Sequence, residues 1–161
     1  MRAGPANIDT VLGILEDAAR WLTSRGIDQW RPGRFDRDGL AASLSRGEVY
    51  LATVDGRPAG TLTLQTSDPL FWPNVSDDAL YLHRLAIHRT YAGQGLGLYL
   101  LRWAEEATAS AGKRYLRLDC MAESNVLRAY YESAGFSYRG NVTGKNWGAS
   151  LYEKSVMKGE A

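Results

Sequence analysis

Three glycines at alternate positions are spaced to hold an anion. Gly93, Gly95 and Gly97 follow a predicted strand and open a predicted helix, so backbone N–H groups and the positive end of the helix converge there. Glycine has no Cβ, and a phosphate can therefore approach the backbone closely. Leu98 and Tyr99 stand where a P-loop needs lysine and a hydroxyl, and a dinucleotide fingerprint starting at Gly93 needs glycine at position 98. The segment is either another kind of phosphate cradle or a tight turn without a ligand.

A histidine on the strand before these glycines is a candidate general base. In a continuous strand His83 shares a face with Leu85 and Ile87, and an imidazole accepts protons near neutral pH. A packed or solvent-facing histidine is the alternative. Glu48, at the start of a predicted hairpin, and Asp119 are further candidates, and a base that acts through water also fits.

Hydrophobic periodicity predicts the elements that position these groups. Helices are predicted over 7–25, 36–46, 96–111 and 125–134, and strands over 49–54, 59–65, 80–87, 114–120, 136–142 and 149–157. Asp55-Gly56 favours a hairpin turn. Residues 66–79 read as a long surface loop with Phe71 and Trp72 at its tip.

The central helix is the connection of a predicted β-α-β unit. Its apolar stripe is predicted at Leu96, Leu100, Trp103, Ala107 and Ala111. The strands on either side are therefore expected to be parallel.

Composition limits the class of protein. The chain has 161 residues, 45% of them hydrophobic, which predicts a single domain over 1–161. Lys and Arg total 19 against 18 Asp and Glu, so we expect no nucleic-acid partner. Cys120 is the single cysteine and is better explained as a small buried residue than as a nucleophile; with two histidines it leaves too few ligands for structural zinc, and no metal is predicted. Without an apolar run of 18 residues or a signal-like start, we expect a cytoplasmic protein with no membrane partner.

Two separated motifs carry a resemblance to a known family. The stretch 82–97, Leu-His-Arg-Leu-Ala-Ile-His-Arg-Thr-Tyr-Ala-Gly-Gln-Gly-Leu-Gly, resembles the central motif of the Gcn5-related N-acetyltransferases, whose pyrophosphate loop Q/R-x-x-G-x-G/A falls on 92–97. Residues 131–136, Tyr-Glu-Ser-Ala-Gly-Phe, resemble that family's Y-E-x-x-G-F helix end. Ala92 departs from the usual glutamine or arginine. The resemblance implies an α/β (α+β) fold with a mixed, mostly antiparallel twisted sheet of about six to seven strands and about four helices.

The resemblance also implies acetyl-CoA as donor and a primary amine as acceptor. It assigns cofactor binding to the strand residues Leu85, Ala86 and Ile87, to the loop residues Ala92, Gly93, Gln94, Gly95, Leu96, Gly97 and Leu98, and to Ser124 or Asn125. It makes Tyr131 the acid at the leaving sulfur and a contact of the cofactor, and His83 is the base that we favour.

The acceptor contacts are predicted from aromatic residues of the N-terminal region and the long loop. They are Trp21, Gln29, Trp30, Phe71 and Trp72. Indole faces suit a cationic amine. The alternative is that Trp21 and Trp30 pack the first helix against the sheet. The sequence shows no acidic cluster, which disfavours a polyamine or an aminoglycoside and leaves small amines, amino acids and peptide N-termini.

Three function classes follow. The first is a direct acetyl transfer from acetyl-CoA to a small-molecule or peptide amine, with a homodimer as an assembly option. The second is a catalytically silent acyl-CoA-binding or sensing module, which has no need of an acid at Tyr131. The third is another nucleotide-binding domain, which Leu98 and Tyr99 disfavour.

Overall fold

The computed structural model describes residues 1–26, 33, 35–73 and 77–157. Over these residues it has four α-helices and six β-strands: α1 (Ile8–Ser24), α2 (Arg37–Ser45), β1 (Val49–Val54), β2 (Arg57–Gln65), β3 (Ala79–Ile87), α3 (Leu96–Ser110), β4 (Tyr115–Met121), α4 (Asn125–Ser133), β5 (Ser137–Gly144) and β6 (Trp147–Ser155). The strands follow the order β1-β2-β3-β4-β6-β5 in a mixed, mostly antiparallel sheet. The predicted fold class is confirmed. Within the described part, no helix has the length and apolar character needed to cross a bilayer.

The chain divides into two compact units. The first unit contains Met1–Leu64 and Arg84–Leu100, and the second contains Gln65–His83 and Leu101–Ala161.

The first unit is built on an amphipathic helix and a hairpin. The core-facing side of α1 consists of Val11, Ile14, Leu15, Ala18, Ala19 and Leu22, as its 3.6-residue period predicts. Gly26, with φ of 74°, terminates the helix in the left-handed conformation that glycine adopts without strain. Asp55 and Gly56 have φ of 50° and 76°, the pair of positive values that a two-residue type I′ turn requires, and β1 and β2 are antiparallel.

The second unit contains the predicted parallel pair. The first three residues of β3, Ala79–Tyr81, pair in parallel with Tyr115–Arg117 of β4, which confirms the β-α-β unit. On its other side β4 pairs antiparallel with β6, and β6 with β5. The guanidinium of Arg117 is buried and satisfied, because it donates to Glu153 at 2.7 Å and to the Tyr81 hydroxyl at 3.0 Å.

The structure corrects the predicted apolar stripe of α3. The deeply buried residues are Leu100, Leu101, Ala104 and Thr108. Of the predicted stripe Leu100 is confirmed, whereas Leu96, Trp103 and Ala107 are half-buried and Ala111 is exposed. Thr108 escapes a search for apolar residues because its hydroxyl is satisfied locally, donating to the Ala104 carbonyl at 2.7 Å.

A second correction concerns the loop over 66–79. Leu70 is exposed, but Trp72 packs in a core cluster with Ala79, Tyr81 and Leu151 instead of lying at an exposed tip.

Candidate active site

The glycine loop of the first unit has the conformation that its composition predicts. Gly93 and Gly95 have φ of 74° and 77°, values that strain any residue with a Cβ. A Cβ built at either position meets no atom within 4 Å, so both glycines face open space. Helix α3 begins at Leu96, and the N–H groups of its first turn have no partner within the helix. Open backbone and a helix N-terminus are together the features of an anion cradle.

The strand that leads to this loop contains a bulge. Arg84 has φ of 53°, a left-handed conformation that breaks the extended backbone of β3. The predicted shared face of His83, Leu85 and Ile87 is therefore wrong, since alternation holds only across a continuous strand. Beyond the bulge, Ala86 is buried, whereas Leu85 and Ile87 are half-buried.

Tyr131 lies in α4 of the second unit with its ring against Phe136 and Tyr152. Burial raises the pKa of Tyr131 far above its ordinary value, and Cys120, Tyr130 and Asp119 add to the rise. The hydroxyl thus keeps its proton over the whole working pH range and is available as a donor. Its neighbour Tyr130 is 39% exposed, and the two rings meet edge to face with their centres 5.3 Å apart.

Ser124 and Asn125, the two alternatives for a cofactor contact, have different surroundings at the start of α4. The hydroxyl of Ser124 is the N-cap and accepts from the Leu127 N–H at 3.2 Å. Asn125 is the first helical residue, and its side chain is exposed. The Ser124 hydroxyl is therefore engaged with the backbone of its own helix, whereas the Asn125 side chain faces solvent.

Three titratable side chains of the second unit converge, and we call them the Asp68–His83–Asp119 cluster. One ligand-type atom from each lies within 4.8 Å of the others. Nε2 of His83 is 3.5 Å from Oδ2 of Asp68. Burial raises the pKa of Asp68, and the His83 charge and the Phe71 backbone N–H act in the opposite direction.

Asp119 is the most strongly shifted carboxyl of this cluster. Burial raises its pKa from 3.8 to about 6, and repulsion from Asp68 contributes. A carboxyl near that value can exchange protons close to neutral pH. Burial also raises the pKa of the Cys120 thiol to about 11, so the thiol stays protonated and fits a packing role.

Asp68 is the member of this cluster that sequence reasoning missed. It lies 15 residues before His83 and 51 before Asp119 along the chain, so no local spacing marks it. The predicted absence of an acidic cluster is wrong, because the fold brings two aspartates that are distant in sequence around one histidine. The remaining base candidate, Glu48, forms an ion pair at 3.0 Å with Arg46 in the first unit.

The predicted acceptor residues have different surroundings. In the first unit the guanidinium of Arg89 lies 3.9 Å from the ring centre of Trp21, so this indole already stacks with a cation of the protein. In the second unit Phe71 contacts Trp147 edge to face, and Trp72 is buried beside Arg117. Gln29 and Trp30 lie outside the described residues.

Comparison with known proteins agrees with these features. A model of the acetyltransferase (GNAT) family matches residues 15–136. The "Uncharacterized N-acetyltransferase YesJ" of Bacillus subtilis (strain 168) is 32% identical over 155 residues, covering 92% of this chain and 84% of that protein. A GNAT-family acetyltransferase of Listeria monocytogenes 4b F2365 superposes with a TM-score of 0.82 at 28% identity, over 96% of this chain and 92% of that one.

A more distant structure is similar in fold. The structure of "yncA, a putative ACETYLTRANSFERASE from Salmonella typhimurium with its cofactor Acetyl-CoA" superposes with a TM-score of 0.70 at 15% identity, over 100% of this chain and 95% of that one. The chain described here belongs to the GNAT family and is an acetyltransferase.

Proposed function

We propose that this protein transfers an acetyl group from acetyl-CoA directly to a primary amine of a small molecule, an amino acid or a peptide. The observation that carries the proposal is the open glycine cradle: Gly93 and Gly95 hold left-handed conformations with free space at both Cβ positions, one turn or less before α3. Such a cradle fits a pyrophosphate, which the family's donor contains.

The cofactor contacts are assigned segment by segment. In the first unit the backbone of 92–98 binds the pyrophosphate, and Leu85, Ala86 and Ile87 offer backbone groups to the pantetheine arm. The departure at Ala92 removes a polar side chain but keeps the backbone donors. In the second unit the exposed Asn125 is the contact that we favour over Ser124, whose hydroxyl caps α4. When bound, acetyl-CoA supplies an acetyl group activated as a thioester.

Tyr131 and His83 are the proposed acid and base. Tyr131 is the acid because burial keeps its hydroxyl protonated, so that it can donate a proton or hydrogen bond to sulfur. His83 is the base because its imidazole can take the proton that an ammonium must lose before its nitrogen becomes nucleophilic. Both residues belong to the second unit.

The acceptor remains a proposal at the level of its chemical class. Phe71 and Trp21 have ring surface that is not fully buried. Trp72 is a core residue, and its role toward an acceptor stays a prediction. A cytoplasmic location and a homodimer also stay predictions from the sequence.

Two measurements on the intact protein test this function. Acetyl-CoA should raise the melting temperature, because a ligand that binds the folded state stabilises it. A panel of alkylamines, amino acids and short peptides should then reveal amine-dependent release of the CoA thiol. A melting shift without thiol release from any acceptor would favour the silent binding module, and no shift at millimolar acetyl-CoA would remove the cofactor assignment.

A further inference from the structure

Asp68 is a buried carboxylate in direct contact with the proposed base. Its relative exposure is 9%, and Oδ2 lies 3.5 Å from Nε2 of His83. The backbone N–H of Phe71 bonds to the same carboxyl group. Burying a carboxylate costs free energy unless partners compensate, so a carboxylate fixed beside one imidazole indicates a defined role for that contact.

The sheet places Asp119 on the same histidine. The parallel register pairs Ala79 with Tyr115 and Tyr81 with Arg117, and His83 and Asp119 each stand two residues beyond the last pair. The two side chains therefore project from equivalent points of adjacent strands, and their polar atoms meet within 4.8 Å of each other and of Asp68.

We infer that Asp68 is a positioning residue for the proposed acetyl transfer: it fixes the neutral imidazole of His83 with the proton on Nε2, which makes Nδ1 the nitrogen that accepts the proton of the acceptor ammonium. This inference rests on the proposed function. The 3.5 Å contact is an ion-pair distance without hydrogen-bond geometry. Once it shortens to a hydrogen bond, a carboxylate that accepts from one ring nitrogen selects the tautomer in which the other nitrogen is basic. Contacts of this kind are often long before substrate binds and shorten in the reacting complex.

The proposed step is a proton transfer from the acceptor ammonium to Nδ1 of His83. One N–H bond of the acceptor ammonium breaks, an N–H bond forms at Nδ1, and the positive charge moves from the amine to the imidazole. The imidazolium then has the carboxylates of Asp68 and Asp119 beside it, and it loses the proton to water when the enzyme resets. The other titratable groups coupled to Asp119 are Cys120 and Tyr131, which both stay protonated and neutral.

A pair of nearly isosteric acceptors separates base catalysis from a structural role. Phenethylamine is a cation at neutral pH and needs a base, whereas O-benzylhydroxylamine is already uncharged and does not. With phenethylamine as acceptor, Asp68→Asn should lower kcat/KM by about 10- to 100-fold, and His83→Gln should lower it by about 100-fold or more. With O-benzylhydroxylamine as acceptor, kcat/KM should fall by less than about 5-fold in either variant. Asn retains an oxygen for the Phe71 N–H, and Asp77→Asn, at an exposed aspartate paired with Lys113, is the matched control.

A second measurement needs no turnover. Two-bond ¹⁵N–¹H correlations above pH 8 report which ring nitrogen of each histidine carries the proton. We expect His83 to be the Nε2–H tautomer in the intact protein and a mixture in Asp68→Asn. His88 is the internal control, because its Nδ1 accepts from the Thr90 N–H at 3.2 Å and should not change.

The outcomes are distinct. Equal losses with both acceptors, or a wild-type His83 protonated on Nδ1, would overturn the positioning role. Activity that falls with a chelator and returns with Zn²⁺ would overturn it in favour of a metal site on the same three residues. If no amine is acetylated at all, the proposed function fails, and an unchanged His83 tautomer in Asp68→Asn would overturn the inference independently.

Discussion

The glycine loop and the Asp68–His83–Asp119 cluster handle charge in opposite ways. The loop has exposed backbone, with Gly93 and Gly95 in left-handed conformations, and we propose that it binds an anion through uncharged donors. The cluster uses two carboxylates and an imidazole at half-buried or buried positions. Function at the loop should therefore depend on backbone conformation, and function at the cluster on protonation.

That difference gives each region its own signature in an experiment. Changes in the loop should alter the KM for acetyl-CoA and leave the pH dependence intact. Changes in or near the cluster should alter turnover or the pH dependence and leave the KM for acetyl-CoA nearly intact.

The largest effect is expected at Tyr131, the proposed acid, whose pKa is raised by burial and in part by Asp119. Tyr131→Phe removes one hydroxyl and should lower kcat by roughly 100- to 10,000-fold, because a positioned acid contributes that much to proton transfer. The KM for acetyl-CoA should stay within a few-fold. Tyr130→Phe on the same helix is the control and should retain activity. Steady-state kinetics check both, and an active Tyr131→Phe would assign the acid role elsewhere.

The loop is best tested by a pair of glycines with the same conformation. Gly95→Ala puts a Cβ at φ of 77° in the cradle, and Gly56→Ala puts one at φ of 76° in the β1–β2 turn, with free space at both. Each should cost about 1 kcal/mol of stability from backbone strain. Only Gly95→Ala should also raise the KM for acetyl-CoA, by about 10-fold, since it narrows the approach to the backbone. If Gly95→Ala and Gly56→Ala have the same KM for acetyl-CoA, Gly95 does not face the cofactor.

The charge of Asp119 should make the stability of the folded protein depend on pH. Its pKa is about 6 in the folded protein against 3.8 ordinarily, so the folded state binds more protons between these values than the unfolded state. The favourable contribution of Asp119 to the free energy of unfolding is complete below pH 3.8 and is lost as the pH rises through about 6. Asp119→Asn should therefore raise the free energy of unfolding above pH 7, by an amount on the order of 1–3 kcal/mol, and give no gain near pH 4. Urea titrations at both pH values check this.

The Asp119 result has a clear control and a clear contradiction. Asp77→Asn, at a side chain that is 96% exposed, should show no such difference between the two pH values. An Asp119→Asn variant that is equally stabilised at pH 4 and pH 8 would mean that the charge of Asp119 is not the cause.

The smallest effects should divide Ser124 from Asn125. Ser124→Ala removes the N-cap of α4 and should lower stability by about 1 kcal/mol with little change in the KM for acetyl-CoA. Asn125→Ala should do the reverse, raising that KM by a few-fold at unchanged stability. Thermal unfolding and kinetics on both variants check the division, and the opposite result would make Ser124 the cofactor contact.

What the sequence predicts well is local. The hairpin turn at Asp55-Gly56, the glycine loop and the helix end at Gly26 are each determined by a few adjacent residues, and the structure agrees with all three. Boundaries were less accurate, since β2 begins at Arg57 and β6 at Trp147.

What the sequence does not predict depends on distant contacts. Asp68 joins His83 and Asp119 only because β3 and β4 are adjacent and the loop before β3 folds back, and no local pattern encodes this. The bulge at Arg84 is equally invisible, because arginine has no preference for a left-handed conformation. The sequence predicts Trp72 at the tip of a surface loop, but Trp72 is buried against Tyr81 and Arg117, which lie far from it along the chain.

The central claim is that the chain moves an acetyl group from acetyl-CoA to an amine nitrogen. The most direct measurement quantifies free CoA thiol and N-acetylated amine in the same reaction, the first by a thiol reagent and the second by mass spectrometry. We expect the two products in a one-to-one ratio, with the formation of both dependent on the amine and lost together in Tyr131→Phe. Thiol release without acetylated amine, or no thiol release with any primary amine, would contradict it.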